Sequence, residues 1–135
     1  MEKEFIPYEQ ASALKELGFD EPCFATIDQI EYVHIKGTKS SPRGSMMYDI
    51  IDCPLYQQAF RWFREKYKLS CFIELIDNSK HYYFDFTISD SKNRDWDDMN
   101  CFDSCKRIYD DGKFGKYEEA ELECLKKLIE IVKNK

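Results

Sequence analysis

The sequence predicts an α+β fold with the element order α-β-β-α-β-β-α, an antiparallel sheet packed against helices. Three observations predict it. Residues 53–67 repeat Tyr56, Ala59, Phe60, Phe63 and Tyr67 at three- and four-residue intervals, the period of a helix with one buried face. Residues 71–76 and 82–89 alternate instead: Tyr82, Phe84, Phe86 and Ile88 fall on one side and Tyr83, Asp85, Thr87 and Ser89 on the other, as in a half-buried hairpin. Residues 117–133 return to the helical period through Leu122, Leu125, Ile129 and Val132, widened by Cys124, Leu128 and Ile131. The rings of Tyr56, Phe60, Phe63 and Tyr67 carry enough apolar area to need a sheet beneath them, so the central helix organises a two-layer structure.

Taken in order, Pro7 opens a first helix whose buried stripe is Tyr8, Ala11, Leu14 and Leu17, proline being tolerated where its missing N–H has no helical partner. Gly18 ends that helix, and Phe19 is placed to fold back on its last turn. Residues 23–27 and 31–36 are short β-branched and aromatic runs separated by Asp28, Gln29 and Ile30, a hairpin pattern. Residues 37–44 hold Gly, Ser, Thr and Pro without apolar period and read as a loop. Residues 46–51 are apolar enough for a short strand. Asp52 or Cys53 is then the expected N-cap of the central helix, with Pro54 in its first turn. After the second hairpin, turned at residues 77–80, the composition becomes Asp-, Asn-, Lys- and Ser-rich from residue 90 to 115. That stretch is expected to be a loop-rich insertion with at most one helical turn, near residues 102–108. The last helix starts among Glu118, Glu119, Glu121 and Glu123 and ends near Lys133, as the helix dipole favours.

A chain of 135 residues fits one domain, 1–135. A net charge of −6 argues against a general nucleic-acid binder, which needs clustered positive charge to displace counterions. No stretch has the length of a membrane span, and no apolar leader stands at the N-terminus, so a cytoplasmic location is expected. In that compartment Cys23, Cys53, Cys71, Cys101, Cys105 and Cys124 are expected to be reduced, most of them as small core residues.

Three segments, EFIPYEQASALKELGFDEPCF, PLYQQAFRWFREKYKLS and YEEAELECLKKLIEIVK, resemble a family of small uncharacterised proteins encoded by Bacteroidetes and by their phages. The resemblance implies a genomic setting and no reaction, and it carries over no functional residue. The chain departs from the family pattern at Lys116, where a Thr commonly precedes the Tyr-Glu-Glu-Ala run and would cap the helix. Gly115 is the available substitute. The insertion at 90–115 is longer than in typical members.

Three constellations bear on chemistry. Cys101 and Cys105, four apart, could join His34 or His81 at zinc, but structural zinc sites show two tight ligand pairs and this spacing is unspecific. The same two cysteines could be a redox pair, although nothing in the sequence lowers a thiol pKa there. Asp85, Asp90, Asp95, Asp97 and Asp98 lack the spacing and turn glycine of a calcium loop. No metal, cofactor or catalytic residue is therefore expected, and the protein is not expected to be an enzyme.

Two surfaces remain. Asp95, Trp96, Asp97, Asp98, Phe102 and Tyr109 interleave acids with aromatics in the insertion, which suits a protein partner. Arg61, Arg64 and Lys68 form a basic stripe on the outer face of the central helix that could hold a nucleotide-like anion. The expectation is a small cytoplasmic binding protein with a protein partner, its phage association suggesting interference with a host system. The alternative is sequestration of a small anionic ligand.

Overall fold

A computed structural model describes residues 4–36, 49–78, 81–90 and 106–134, the side chains of 78, 81–82 and 106–113 excepted. The fold is α+β, as predicted, and its strands form two separate three-stranded antiparallel sheets. The chain gathers into two compact units, Met1–Ala59 and Phe60–Lys135.

In the first unit α1 (Tyr8–Glu16) follows Pro7 and ends as the sequence predicts. Gly18 has φ 96°. Its N–H donates to the Lys15 carbonyl at 3.1 Å, and the Phe19 N–H donates to the Leu14 carbonyl at 2.9 Å. Those two bonds are the Schellman pairing that only a left-handed residue closes without strain. Helix α1 packs on β3 (Ile51–Cys53), an edge of the sheet β2-β1-β3 built with β1 (Ala25–Ile27) and β2 (Val33–Ile35). Ala25 pairs with Cys53 and Ile27 with Ile51, and all four are buried with Ile6, Ala11 and Leu14 in the core of this unit.

The predicted strand at 46–51 lies elsewhere: residues 46–48 are outside the described residues, and the strand runs Ile51–Cys53. Asp52 and Cys53 are thus ladder residues and not the cap of α2 (Tyr56–Tyr67). β1 offers Thr26 as a partner for Asp52, and a bridge between Phe5 and Leu55 extends the pairing toward the helix. Along α2, Tyr56, Ala59 and Phe63 are buried as expected, whereas Phe60 and Tyr67 are only half-buried and Trp62 takes a core place.

In the second unit β4 (Leu69–Asn78) and β5 (His81–Asp90) pair through ten uninterrupted rungs, from Leu69 with Asp90 to Asn78 with His81. The predicted turn residues 79–80 lie outside the described residues, as does the loop at 37–44. Helix α3 (Tyr117–Lys133) packs on this sheet and buries Ala120, Cys124, Leu125, Leu128, Ile129 and Val132, leaving Leu122 and Ile131 half-buried. Lys116, and not Gly115, occupies the N-cap position and makes no side-chain capping bond.

Two expectations are corrected here. Part of the predicted insertion is a strand, β6 (Lys106–Phe114), hydrogen-bonded to β5, so the helical turn expected near 102–108 is not formed at 106–108. Its ladder shifts register twice, between Phe84 and Phe86 and between Ile88 and Ser89. Asp110, Asp111 and Gly112 are poor strand formers, and the open edge of β5 supplies what their propensity does not. The second correction concerns the thiols: Cys71 of β4 and Cys124 of α3 are joined in a disulfide. They are 53 residues apart in sequence, and only the packing of α3 on the sheet brings them together.

Candidate functional site

Strand β1 and the residues flanking it alternate Cys23, Ala25 and Ile27, all buried, with Phe24, Thr26 and Asp28 on the other side. The pairing of Thr26 with both His34 and Asp52 adds those two residues to that second face. Asp28 is buried there and organises the turn. Its Oδ1 accepts the N–H groups of Ile30 and Tyr32, each at 3.0 Å, and its C=O accepts the Glu31 N–H at 3.0 Å. An aspartate that bonds the backbone just ahead of it makes a turn out of its own side chain. Glu31 adopts φ 64° to complete it, and its Oε2 accepts the Tyr8 N–H at 3.0 Å, at the start of α1.

His34 Nε2 stands 3.9 Å from Asp28 Oδ2, beyond hydrogen-bond length, and the His34 side chain is 10% exposed. Its Nδ1 is buried and has no hydrogen-bond partner among the described residues. The Tyr32 ring lies 4.4 Å from the imidazole, centroid to centroid. On the turn Ile30 and Tyr32 are 62% and 53% exposed, and Phe24, at the far end of the hairpin where its C=O accepts the Lys36 N–H, is 69% exposed. Lys36 Nζ and Asp52 Oδ1 close an ion pair at 3.0 Å, an exposed contact of the kind that contributes about 0–1 kcal/mol.

The two free thiols among the described residues lie in the same unit. Burial, with the Asp52 carboxylate second, pushes Cys23 up from 9.0 to about 11. Burial, with Cys23 second, pushes Cys53 up from 9.0 to about 12. Cys53 Sγ also donates to the Ile6 carbonyl at 3.2 Å. Since the thiolate is the nucleophile and the metal ligand, both groups are held in the unreactive form at neutral pH. Among the described residues no three His, Cys, Asp or Glu side chains gather as a metal site. A groove of about 480 Å³ runs beside α1, lined by Tyr8, Ser12, Lys15, Glu16, Asp49 and Ile50. Its charges are of mixed sign and select no ligand class.

Of the residues singled out in the sequence, Arg61, Arg64 and Lys68 are all exposed, Arg61 at the middle of α2, Arg64 in its last turn and Lys68 just beyond its end. Arg64 and Lys68 therefore stand at the carbonyl end, the negative end of the helix dipole. Lys68 has already left the helix with φ 60°. The neighbouring Lys66 lies over the Trp62 ring at 5.0 Å and the Tyr67 ring at 5.6 Å. Asp95, Trp96, Asp97, Asp98, Phe102, Cys101 and Cys105 lie outside the described residues, and Tyr109 is in β6 opposite Ile88. Asp85 and Asp90 are ladder residues of β5.

Sequence reasoning missed Asp28 as a structural centre. The signal was present in its place just after an apolar run and ahead of Gln29. No family model, curated protein or solved structure matches the chain. No helix among the described residues is long and apolar enough to cross a membrane.

Proposed function

We propose that the protein is a small, non-enzymatic binding protein whose partner is another protein. The observation that carries this reading is the exposure of Ile30 and Tyr32 on a turn that Asp28 holds in one shape, with exposed Phe24 at the far end of the same hairpin. Large apolar side chains on a pre-shaped turn lose little freedom on contact, which is what an interaction surface exploits. The state of Cys23 and Cys53 agrees with it, since both candidate nucleophiles of this unit are held as thiols. The acids and aromatics at Asp95, Trp96, Asp97, Asp98, Phe102 and Tyr109 are the proposed second contact. The resemblance to proteins of Bacteroidetes and their phages favours a partner in a host system such as a nuclease or a defence complex.

A nucleotide-like anion on Arg61, Arg64 and Lys68 is the weaker reading. At the carbonyl end of a helix no backbone N–H groups are free to share the charge. Affinity capture from a host lysate separates the two. The intact protein should recover a discrete protein, and a Phe24→Ser/Tyr32→Ser variant with unchanged circular dichroism should lose it. Deletion of residues 91–105 tests the second contact on its own. Recovery of no protein, or release of a nucleotide on heating the purified chain, defeats the proposal.

A further inference from the structure

Strand β4 is the outer strand of the sheet β4-β5-β6. Ten residues long, it spans about 33 Å at the usual rise. One side of its backbone is taken up by β5 in an unbroken register. The other side presents alternate N–H and C=O groups to whatever lies beside the sheet, and among the described residues no strand pairs with it. Natural edges are normally guarded by lysine, proline, a bulge or shortness. Of the charges that also serve this purpose strand β4 has only the acids Glu74 and Asp77: its sequence, LSCFIELIDN, contains no Lys, Arg, Pro or Gly, and its ladder with β5 has no register shift.

The side chains along this edge are graded. Leu69, Cys71, Ile73 and Leu75 pair with Asp90, Ile88, Phe86 and Phe84, the side on which Leu69, Phe86 and Ile88 are buried. Ser70, Phe72, Glu74 and Ile76 form the opposite face. Phe72 is 53% exposed and Leu75 57%, in contrast to Phe86 and Ile88 of the central strand. Glu74 is exposed at the middle of that face, with Phe72 and Ile76 on either side of it. Its partner across the ladder is Asp85, a second acid. An exposed carboxylate between two apolar side chains favours a cation beside it on the free side of the strand.

We propose that β4 accepts an extended segment of a partner protein as a fourth strand, and that this segment carries a Lys or Arg opposite Glu74 with apolar residues around it. The inference deepens the binding-protein reading and rests on it. Main-chain hydrogen bonds along β4 give the affinity, and Phe72, Glu74 and Ile76 select the side chains. A second copy offers β6, whose Lys106, Arg107 and Lys113 are cations but whose two register shifts break the straight run that β4 needs, or β4, which does not meet the requirement. Because β4 holds no cation, every register of β4 against itself leaves Glu74 opposite an acid or an uncharged residue. A nucleic-acid strand is disfavoured by the acids of the edge, Glu74 and Asp77.

The test uses the full chain and two capped synthetic peptides, Ser-Thr-Val-Ile-Lys-Ile-Val-Thr-Ser and the same peptide with Glu in place of Lys. Binding is read by fluorescence anisotropy and mapped by backbone amide shifts. The Lys peptide should bind with amide shifts along β4, and the Glu peptide about tenfold more weakly, the size of one favourable against one unfavourable cross-strand charge pair. In the Glu74→Lys variant, a surface change that leaves the fold intact, the preference should reverse. Equal binding of the two peptides, absence of binding, shifts confined elsewhere, or a concentration-dependent dimer whose interface is β4 would each overturn the proposal. Lysate capture that persists in Glu74→Lys would remove this edge alone and leave the binding-protein reading standing, whereas capture of nothing removes that reading itself.

Discussion

The two sheets of this protein have the same number of strands and are held in different ways. In the sheet β2-β1-β3 each strand is three residues long. So few rungs cannot specify a register by themselves, and the sheet leans on side chains that reach into the backbone: Asp28 to Ile30 and Tyr32, Glu31 to Tyr8. The sheet β4-β5-β6 has strands of nine and ten residues, and the alternation of apolar and polar positions is enough to set the β4 and β5 register. Short strands spend polar side chains on structure. Long strands leave theirs, and one whole edge, for other uses.

The largest expected effect falls in the unit of the long strands. Phe63 is fully buried, and Phe63→Ala should destabilise the protein by about 3–5 kcal/mol. Arg61→Ala, on the exposed side of the same helix, should stay within about 0.5 kcal/mol. Equal urea midpoints for the two variants would show the helix faces to be wrongly assigned.

Next comes the bond between Cys71 and Cys124, which closes a loop of 53 residues and on the chain-entropy argument contributes about 4 kcal/mol. Reduction should lower the midpoint accordingly, and the unreduced native protein should leave these two cysteines unalkylated in a peptide map. Labelling of both would replace the covalent link by a simple packing contact.

The short-strand sheet should be most sensitive at Asp28. Asp28→Ala leaves two backbone N–H groups without their acceptor and should cost about 2–3 kcal/mol. Amide exchange should accelerate at Ile30 and Tyr32 and remain unchanged along β4, and faster exchange in both sheets would mean that they are not independent in this respect.

The smallest effect is one of pH. Cys23 and Cys53 titrate near 11 and 12 in the folded chain against 9.0 in the unfolded one, so folding favours their protonated forms. Their contribution is complete below about pH 9 and is lost as the pH climbs through 11 to 12. Wild type should therefore lose stability more steeply over that range than Cys53→Ala, and parallel curves would place the thiols in a less buried setting.

The elements that could be read in advance are those whose signal is local or strictly periodic. Gly18 and Phe19 announced the end of α1, Phe84, Phe86 and Ile88 announced the buried side of β5, and the Leu125 to Val132 stripe announced α3. What could not be read depends on neighbours far along the chain. Strand β6 forms on the edge of β5 despite Asp110, Asp111 and Gly112. The disulfide joins residues that only tertiary packing brings together. Trp62 enters the core although the spacing of Phe60 and Tyr67 pointed to a different face. The candidate surface was legible only in its chemistry: Ile30 and Tyr32 were visible as residues, whereas the turn that presents them depends on where the Asp28 carboxylate points.

The bond from the Tyr8 N–H to Glu31 couples a helix to a hairpin far along the chain. Helix α1 has nine residues and begins at Pro7, which offers no side-chain cap. The anion at its amino end comes from a residue 23 positions later, held in a left-handed turn between two strands. A helix of that length is marginal on its own in water. The first turn of α1 is therefore tied to the hairpin that holds Glu31, and the two lose their order together when that carboxylate is removed.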